Sequence, residues 1–235
     1  MKTVPKFHEF ADQQALCQRL SQRICAALQK AVADRGKAGL VVSGGRTPVP
    51  LFAALSEISI KWDRVFITLA DERWVEASDR DSNEASIRKH LLRNQAEGAH
   101  FHGLKNGHAS AGDGEKECSK KLARLPMPFD IVILGMGPDG HTASLFPGAA
   151  RLPEALDTGS GRPCMAVTPK RAPHDRMTLT LPALLDSRQI YLHLSGKDKR
   201  EVYERALGGD SIEEMPVRAV LDQDKVPVDV YWAVE

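Results

Sequence analysis

The chain has 235 residues, of which 42% are hydrophobic and 27% charged, with a formal net charge of +1. That length suits one well-packed domain, and the charge balance excludes a bulk electrostatic footprint for nucleic acid. No run approaches the ~20 apolar residues that span a bilayer, and MKTVPKFHEFADQQ lacks a signal-peptide core, so a cytoplasmic protein without membrane attachment is expected.

In chain order, residues 10–33 place Leu16, Leu20, Ile24, Leu28 and Val32 at four-residue steps, which predicts a long amphipathic helix. Residues 39–42 predict a short apolar strand, followed by SGGRTP and a helix over 49–55. Residues 64–69 predict a second strand that runs into ADERWV, and 83–92 a helix. Residues 106–115, rich in Gly, Ser and Asp, read as a surface loop, with a helix over 113–125. Residues 129–134 form an apolar run ending at glycine, hence a buried strand, and a helix start is expected in the stretch that follows to 148. Residues 164–168 and 189–194 predict later strands, 177–180 prefers an extended chain, 197–207 predicts a helix and 228–234 a last strand. Strands alternating with helices imply right-handed crossovers. The expectation is a doubly wound α/β fold over residues 1–235 as a single domain, with a largely parallel sheet and helices on both faces. The segments SGGRTP, ADERWV, GMGPDGHTA and LSGKDK all begin where a strand stops, so in a parallel sheet they share one edge.

Asp139 and His141 fall at that edge. Histidine titrates near neutral pH, and a neighbouring carboxylate fixes its tautomer, which is the equipment of a general base. Gly135 to Gly140 also fits the letters G-x-G-x-x-G of dinucleotide sites. Pro138 and Asp139 occupy the turn that would cradle a pyrophosphate, and no strand-end acid follows at the proper distance, so the catalytic reading leads over that one and over a plain turn.

Gly44, Gly45, Arg46 and Thr47 join a strand to a helix start, where free amides attract anions. The alternative is an ordinary tight turn capped by Thr47. The Lys-Ser/Thr ending of the nucleotide loop is missing, so a simple sugar phosphate fits better than ATP. Asp71 and Arg73 follow a strand directly; they are either a surface ion pair or a hydroxyl and phosphate contact. Arg176 and Lys199 complete the cationic set. His174 reads as exposed-loop material, and His90, His100, His102, His108 and His193 show no paired spacing and are not taken as ligands. Cys17, Cys25, Cys118 and Cys164 form no C-x-x-C pair, so reduced thiols and no metal are expected. No G-x-S-x-G elbow suggests a covalent serine.

Together, VVSGGRTP, DERWV, Ser82-Asn83, ILGMGPDGHTASLFPG, Arg176 with MTLT, and SGKDK resemble the 6-phosphogluconolactonase family, in family order over residues 40 to 200. The resemblance implies a Rossmann-like fold and hydrolysis of a sugar-phosphate lactone with no cofactor. It also implies His141 as base, Asp139 as its orienting partner, and phosphate contacts from Gly44, Gly45, Arg46, Thr47, Arg73, Arg176 and Lys199. Glycine-turn amides or an arginine are the candidate donors to the developing oxyanion. Related glucosamine-6-phosphate deaminases carry a supporting glutamate where this chain has Leu145-Phe146-Pro147. Phe146 cannot relay a proton, which counts against that chemistry. Related sugar-sensing regulators carry a helix-turn-helix domain first; the residues before 39 read mostly as one helix, so none is expected. A monomer is the default in the absence of a long exposed apolar stripe.

Overall fold

Four-residue spacing builds the first helix as expected, but its ends are set by polar groups. In the computed structural model, which describes residues 5–170 and 172–234, helix α1 spans Gln13–Arg35. Leu16, Leu20, Ile24 and Leu28 are fully buried along it. Asp12 starts the helix by accepting from the Ala15 amide at 2.8 Å, and Gly36, at φ +77°, closes it on the Val32 carbonyl. The residues ahead of Asp12 are therefore not helical as anticipated. Phe10 ends the edge strand Lys6–Phe10 instead.

The main sheet contains Lys6–Phe10 (β1), Ala38–Val42 (β2), Val65–Leu69 (β3), His100–His102 (β5), Ile131–Leu134 (β6), Ile190–Ser195 (β9) and Val228–Ala233 (β10). Asp71–Arg73 (β4), Cys164–Val167 (β7) and Arg176–Leu179 (β8) make a second sheet. The remaining helices are Val49–Ser56 (α2), Asn83–His90 (α3), Ala111–Leu122 (α4), Leu152–Leu156 (α5), Leu181–Leu185 (α6), Lys197–Leu207 (α7) and Arg218–Leu221 (α8). The seven-stranded sheet runs β1-β10-β9-β6-β2-β3-β5, and every pairing in it is parallel. Strands β2, β6 and β10 are buried at every residue, which is why β2 and β6 read as unbroken apolar runs rather than alternating ones and β10 is interrupted only by Asp229. From β2 the chain moves outward through β3 to β5; from β6 it moves the other way through β9 to β10. With right-handed crossovers this reversal distributes helices over both faces, the doubly wound arrangement.

The three-stranded sheet, β4-β8-β7, is antiparallel. It corrects two expectations: residues 164–168 do form a strand, but not in the parallel sheet, and 71–73 is a strand rather than the start of a loop. The expected loop over 106–115 is cut short because Ser110 accepts from the Asp113 amide at 3.1 Å and caps α4. No helix opens in the stretch from 135 to 148. Thr142 instead bridges Leu145 in antiparallel fashion, and the next helix is α5. No helix among the described residues is long and apolar enough to cross a membrane.

Candidate active site

The strand order reverses between β2 and β6, whose Val42 and Ile133 are paired neighbours. Such a switch point opens a crevice at the carboxyl ends of the strands. The SGGRTP loop leaves from β2 and the GMGPDGH turn from β6, so the two meet in that crevice. A cleft of about 280 Å³ lies there. Its walls include Gly44, Gly45, Arg46, Thr47, Asp71 and Arg73, together with His141, Arg176 and Lys199. Asp139 stands just outside, on an adjoining cavity that shares His141 and Phe146 with the cleft.

The glycine turn holds itself in shape. The Gly137 amide donates to the His141 carbonyl at 2.8 Å, and the Gly140 amide to the Gly137 carbonyl at 3.1 Å. Those two amides are thereby spent, so the turn glycines at 137 and 140 are not free to serve an oxyanion as anticipated. The Thr142 hydroxyl donates to the Gly135 carbonyl at 2.8 Å and ties the far side of the turn. Gly137 has a steric reason to be glycine: a Cβ there would stand 2.1 Å from Nδ1 and Cε1 of His141. The imidazole therefore lies against bare backbone. Its Nδ1 is 2.5 Å from Oδ1 of Asp139, and its other wall is the Phe146 ring, with centroids 4.2 Å apart. Burial works to raise the Asp139 carboxyl, but the hydrogen bond and charge of His141 outweigh it and hold it below the usual carboxylate range.

In the SGGRTP loop, Gly45 has φ +99°, a conformation costly for any side-chain-bearing residue. Arg46 is exposed and Thr47 half-buried. Thr47 does not cap α2, which begins after Pro48 with no side-chain cap. The capping alternative is thus not realised, and the loop's polar groups face the cleft instead. Lys199, in the first turn of α7, reaches back to the Met136 carbonyl at 2.7 Å. Burial lowers its ammonium from the ordinary value, with Asp139 acting in the opposite sense.

The second sheet supplies the strongest charge. Arg73 and Arg176 sit directly opposite each other on β4 and β8. Like charges in that register are unfavourable unless an anion joins them. The Nε atoms of both are buried with no hydrogen-bond partner among the described residues. Their other contacts are carbonyls: Asp81 for Arg73, and Pro173 at 3.1 Å for Arg176. The Arg176 guanidinium also lies 5.8 Å from the centre of the Phe146 ring. Burial first, then the charge of Arg73, lowers Arg176 from its ordinary value. Two buried guanidinium groups with unpaired Nε atoms, facing each other across a strand pair, are suited to receive an anion.

Asp71 and Glu72 part company. Glu72 points away and caps α3, accepting from the amides of Asn83 at 2.8 Å and Glu84 at 2.7 Å. Burial raises its carboxyl while those amides pull the other way. Asp71 faces the cleft, accepting from the Ser144 hydroxyl at 2.5 Å, while its carbonyl takes the Asn83 amide group at 2.8 Å. Residue types alone gave no role to Asn83 or Ser144; both lie inside segments that matched the family pattern. His193 is also a cleft-lining residue, although its spacing offered no reason to single it out. Among the described residues no group of three or more His, Cys, Asp or Glu is placed to hold a metal ion. The four cysteines are free and buried.

An imidazole held by a carboxylate and a glycine loop at the switch point of a parallel sheet, with paired arginines brought in by the second sheet, define a class: α/β proteins whose crevice suits a small anionic substrate. The chain belongs to the glucosamine-6-phosphate isomerases/6-phosphogluconolactonase family, whose pattern matches residues 11–232. A 6-phosphogluconolactonase from Mesorhizobium japonicum is 43% identical over 227 residues, covering 97% of this chain and 94% of that protein. One from Pseudomonas aeruginosa is 40% identical, covering 91% of this chain and 88% of its own length. The crystal structure of a 6-phosphogluconolactonase from Shewanella baltica superposes with a TM-score of 0.96 at 52% identity, covering 99% of each chain. A monomeric glucosamine-6-phosphate deaminase superposes at 0.75 with 19% identity, covering 98% of this chain and 97% of that one, and shares the fold alone.

Proposed function

We propose that this chain is an enzyme that hydrolyses 6-phospho-D-glucono-1,5-lactone to 6-phospho-D-gluconate, the second step of the oxidative pentose phosphate pathway. The observation that carries the reading is one cleft shared by a carboxylate-held imidazole and a pair of arginines whose Nε atoms have no partner among the described residues. The curated relatives named above support it.

With the Nδ1 proton of His141 donated to Asp139, Nε2 is left as the base. A water adds to the lactone carbonyl carbon as Nε2 takes its proton. The tetrahedral intermediate then collapses, the ring C–O bond breaks, and the imidazolium returns the proton to the departing ring oxygen. The acid formed ionises and releases one proton to solvent. Gly44, Gly45, Arg46 and Thr47 receive the phosphate together with Arg73, Arg176 and Lys199, and Asp71 takes a sugar hydroxyl. Anchoring the dianionic tail far from the carbonyl turns binding energy into orientation. No metal or organic cofactor takes part. Phe146 packs on the histidine where the deaminase resemblance calls for a glutamate, so ring-opening proton relay has no group to carry it.

The finer assignments share this reading: one catalytic domain, a monomer in the cytoplasm with its thiols reduced, acting on a small soluble ester and not on nucleic acid. The test is an assay of freshly generated lactone that follows proton release against spontaneous opening. Saturable release above background is the expected result. Background release with ligand-induced thermal stabilisation would make the protein a sensor, and ammonia from glucosamine 6-phosphate would make it a deaminase.

A further inference from the structure

We infer that Ser144 is a positioning residue, which holds the Asp71 carboxylate in the attitude that receives a sugar hydroxyl. The inference rests on the lactonase reading and gives a task to a serine that the mechanism leaves unused.

Asp71 lines the cleft and stands opposite Thr178 across β4 and β8. Two residues along the same ladder, Arg73 stands opposite Arg176. Side chains two apart on a strand share a face, so the carboxylate and the arginine pair lie side by side. Opposite charges so placed attract, and a carboxylate free to turn competes with the substrate anion for the arginines. Something must hold Asp71 back. Ser144 is fully buried and bonds both members of the Asp71–Thr178 pair. Its hydroxyl donates to Asp71 Oδ2 at 2.5 Å, and its amide donates to Thr178 Oγ1 at 3.2 Å. The Thr178 hydroxyl is itself anchored, donating to the Leu179 carbonyl at 2.9 Å. On the other side of Asp71, the Asn83 amide group donates to its carbonyl at 2.8 Å and lies 3.5 Å from Oδ1. One carboxylate oxygen is thus firmly held, and the other has a weak internal claim on it.

Backbone strain points to the same residue. Ala143, which lines the cleft, has φ +48°, a left-handed conformation that a side-chain-bearing residue avoids. Such strain persists where the surroundings over-determine it. Here the Thr142 hydroxyl ties one side of Ala143 to the Gly135 carbonyl, and Ser144 ties the other to the second sheet. The same segment carries His141, and Phe146 walls its ring. Ser144 therefore fixes the acceptor of a sugar hydroxyl relative to the base that attacks the carbonyl.

The experiment is a double-mutant cycle on 6-phosphogluconolactone: wild type, Ser144→Ala, Asp71→Ala and the double variant, with spontaneous opening subtracted. Ser144→Ala is expected to lose about tenfold in kcat/KM and Asp71→Ala about 10–100-fold, the size of a hydrogen bond to a charged group. With Asp71 removed, Ser144 has nothing to aim, so the double variant is expected within about threefold of Asp71→Ala. The two single variants are also expected to divide their losses between kcat and KM in the same way. Ser144→Cys, which keeps a weaker donor, is expected to fall between wild type and Ser144→Ala. The inference is overturned if Ser144→Ala loses as much without Asp71 as with it, the result of a merely structural serine, or if it loses nothing in wild type. Should an alanine variant fail to fold, Ser144→Cys and Asp71→Asn take their places in the cycle under the same criterion. Wild type turning over no lactone would sink the lactonase reading instead. Ser144 is then judged by the same cycle read in the Kd for 6-phosphogluconate, where additive losses, or no binding at all, overturn it.

Discussion

The two sheets serve the cleft in opposite ways. The parallel sheet lines the cleft mainly with groups from the segments that leave β2, β6 and β9, and the first two segments are held by backbone hydrogen bonds and glycine geometry. The antiparallel sheet contributes strand residues themselves, Arg73 and Arg176, fixed in register across β4 and β8. Shaped backbone at one wall and aimed charge at the other teach that position and attraction are separable here. The first is a property of turns, the second of a rigid ladder.

If that division is right, damage at the parallel-sheet wall falls on turnover. His141→Ala is expected to lower kcat by ~10²–10⁴-fold after subtraction of spontaneous opening. A near-wild-type rate would strip the imidazole of its role. Gly137→Ala touches no substrate, but its methyl would collide with the His141 ring at 2.1 Å. Pushing the ring aside is expected to cost ~10²-fold in kcat while KM stays near wild type, since a shift of about 1 Å suffices for such a loss. An equal loss in KM would mean that the turn also holds the anchor.

Damage at the antiparallel wall falls on capture. Arg176→Met is expected to raise KM by ~10–100-fold, the loss of one or two charge-assisted hydrogen bonds, with a smaller change in kcat. The free variant is expected to melt no lower than wild type, because the Arg73–Arg176 repulsion is relieved. A large fall in melting temperature would show that the pair is structural.

Acid stability sharpens the contrast from within the parallel sheet. His193 titrates at about 4 when folded against 6.5 for an ordinary histidine. As pH falls below 6.5 the unfolded chain takes up a proton that the folded chain refuses, so stability drains away down to about pH 4 and this group adds no slope below that. The size is on the order of 3 kcal/mol. Denaturant titrations across that window should show the slope in wild type and its loss in His193→Phe. The smallest effect is expected at Gly45→Ala: a Cβ there meets nothing within 4 Å, so the penalty is backbone strain alone, about 1–2 kcal/mol by chemical denaturation.

What could be read from residues alone follows the same physics. The helix of α1 and the strands β2, β6 and β9 were legible because burial on one stripe or on both faces leaves a pattern in the chain itself. Edge strands β1 and β5 were not, since Lys6–Phe10 and His100–His102 are polar enough to pass for loop and become strands only through their neighbours. Asp71–Arg73 was hidden for the same reason: its partner, β8, lies a hundred residues away in sequence. His141, Arg46, Arg73 and Lys199 in the cleft, and Asp139 beside it, were legible because each follows a strand that ends at the common edge, and Arg176 because it precedes an extended stretch matched by the family pattern. Asn83 was matched without a reason, and the coordinates supply one, its carboxamide on the Asp71 carbonyl. His193 left no trace, because a strand buried along almost its whole length gives no sign of which of its residues will border a cleft.

The adjacency of β2 and β6 has one more effect. Because the loop proposed to grip the phosphate and the turn that carries the imidazole spring from strands bonded side by side, the points at which they leave the sheet are fixed by the ~4.8 Å inter-strand spacing. The sheet thus acts as a gauge for molecular length. On the proposed function, a lactone one carbon shorter or longer is expected to fit one end of the gauge less well than the other.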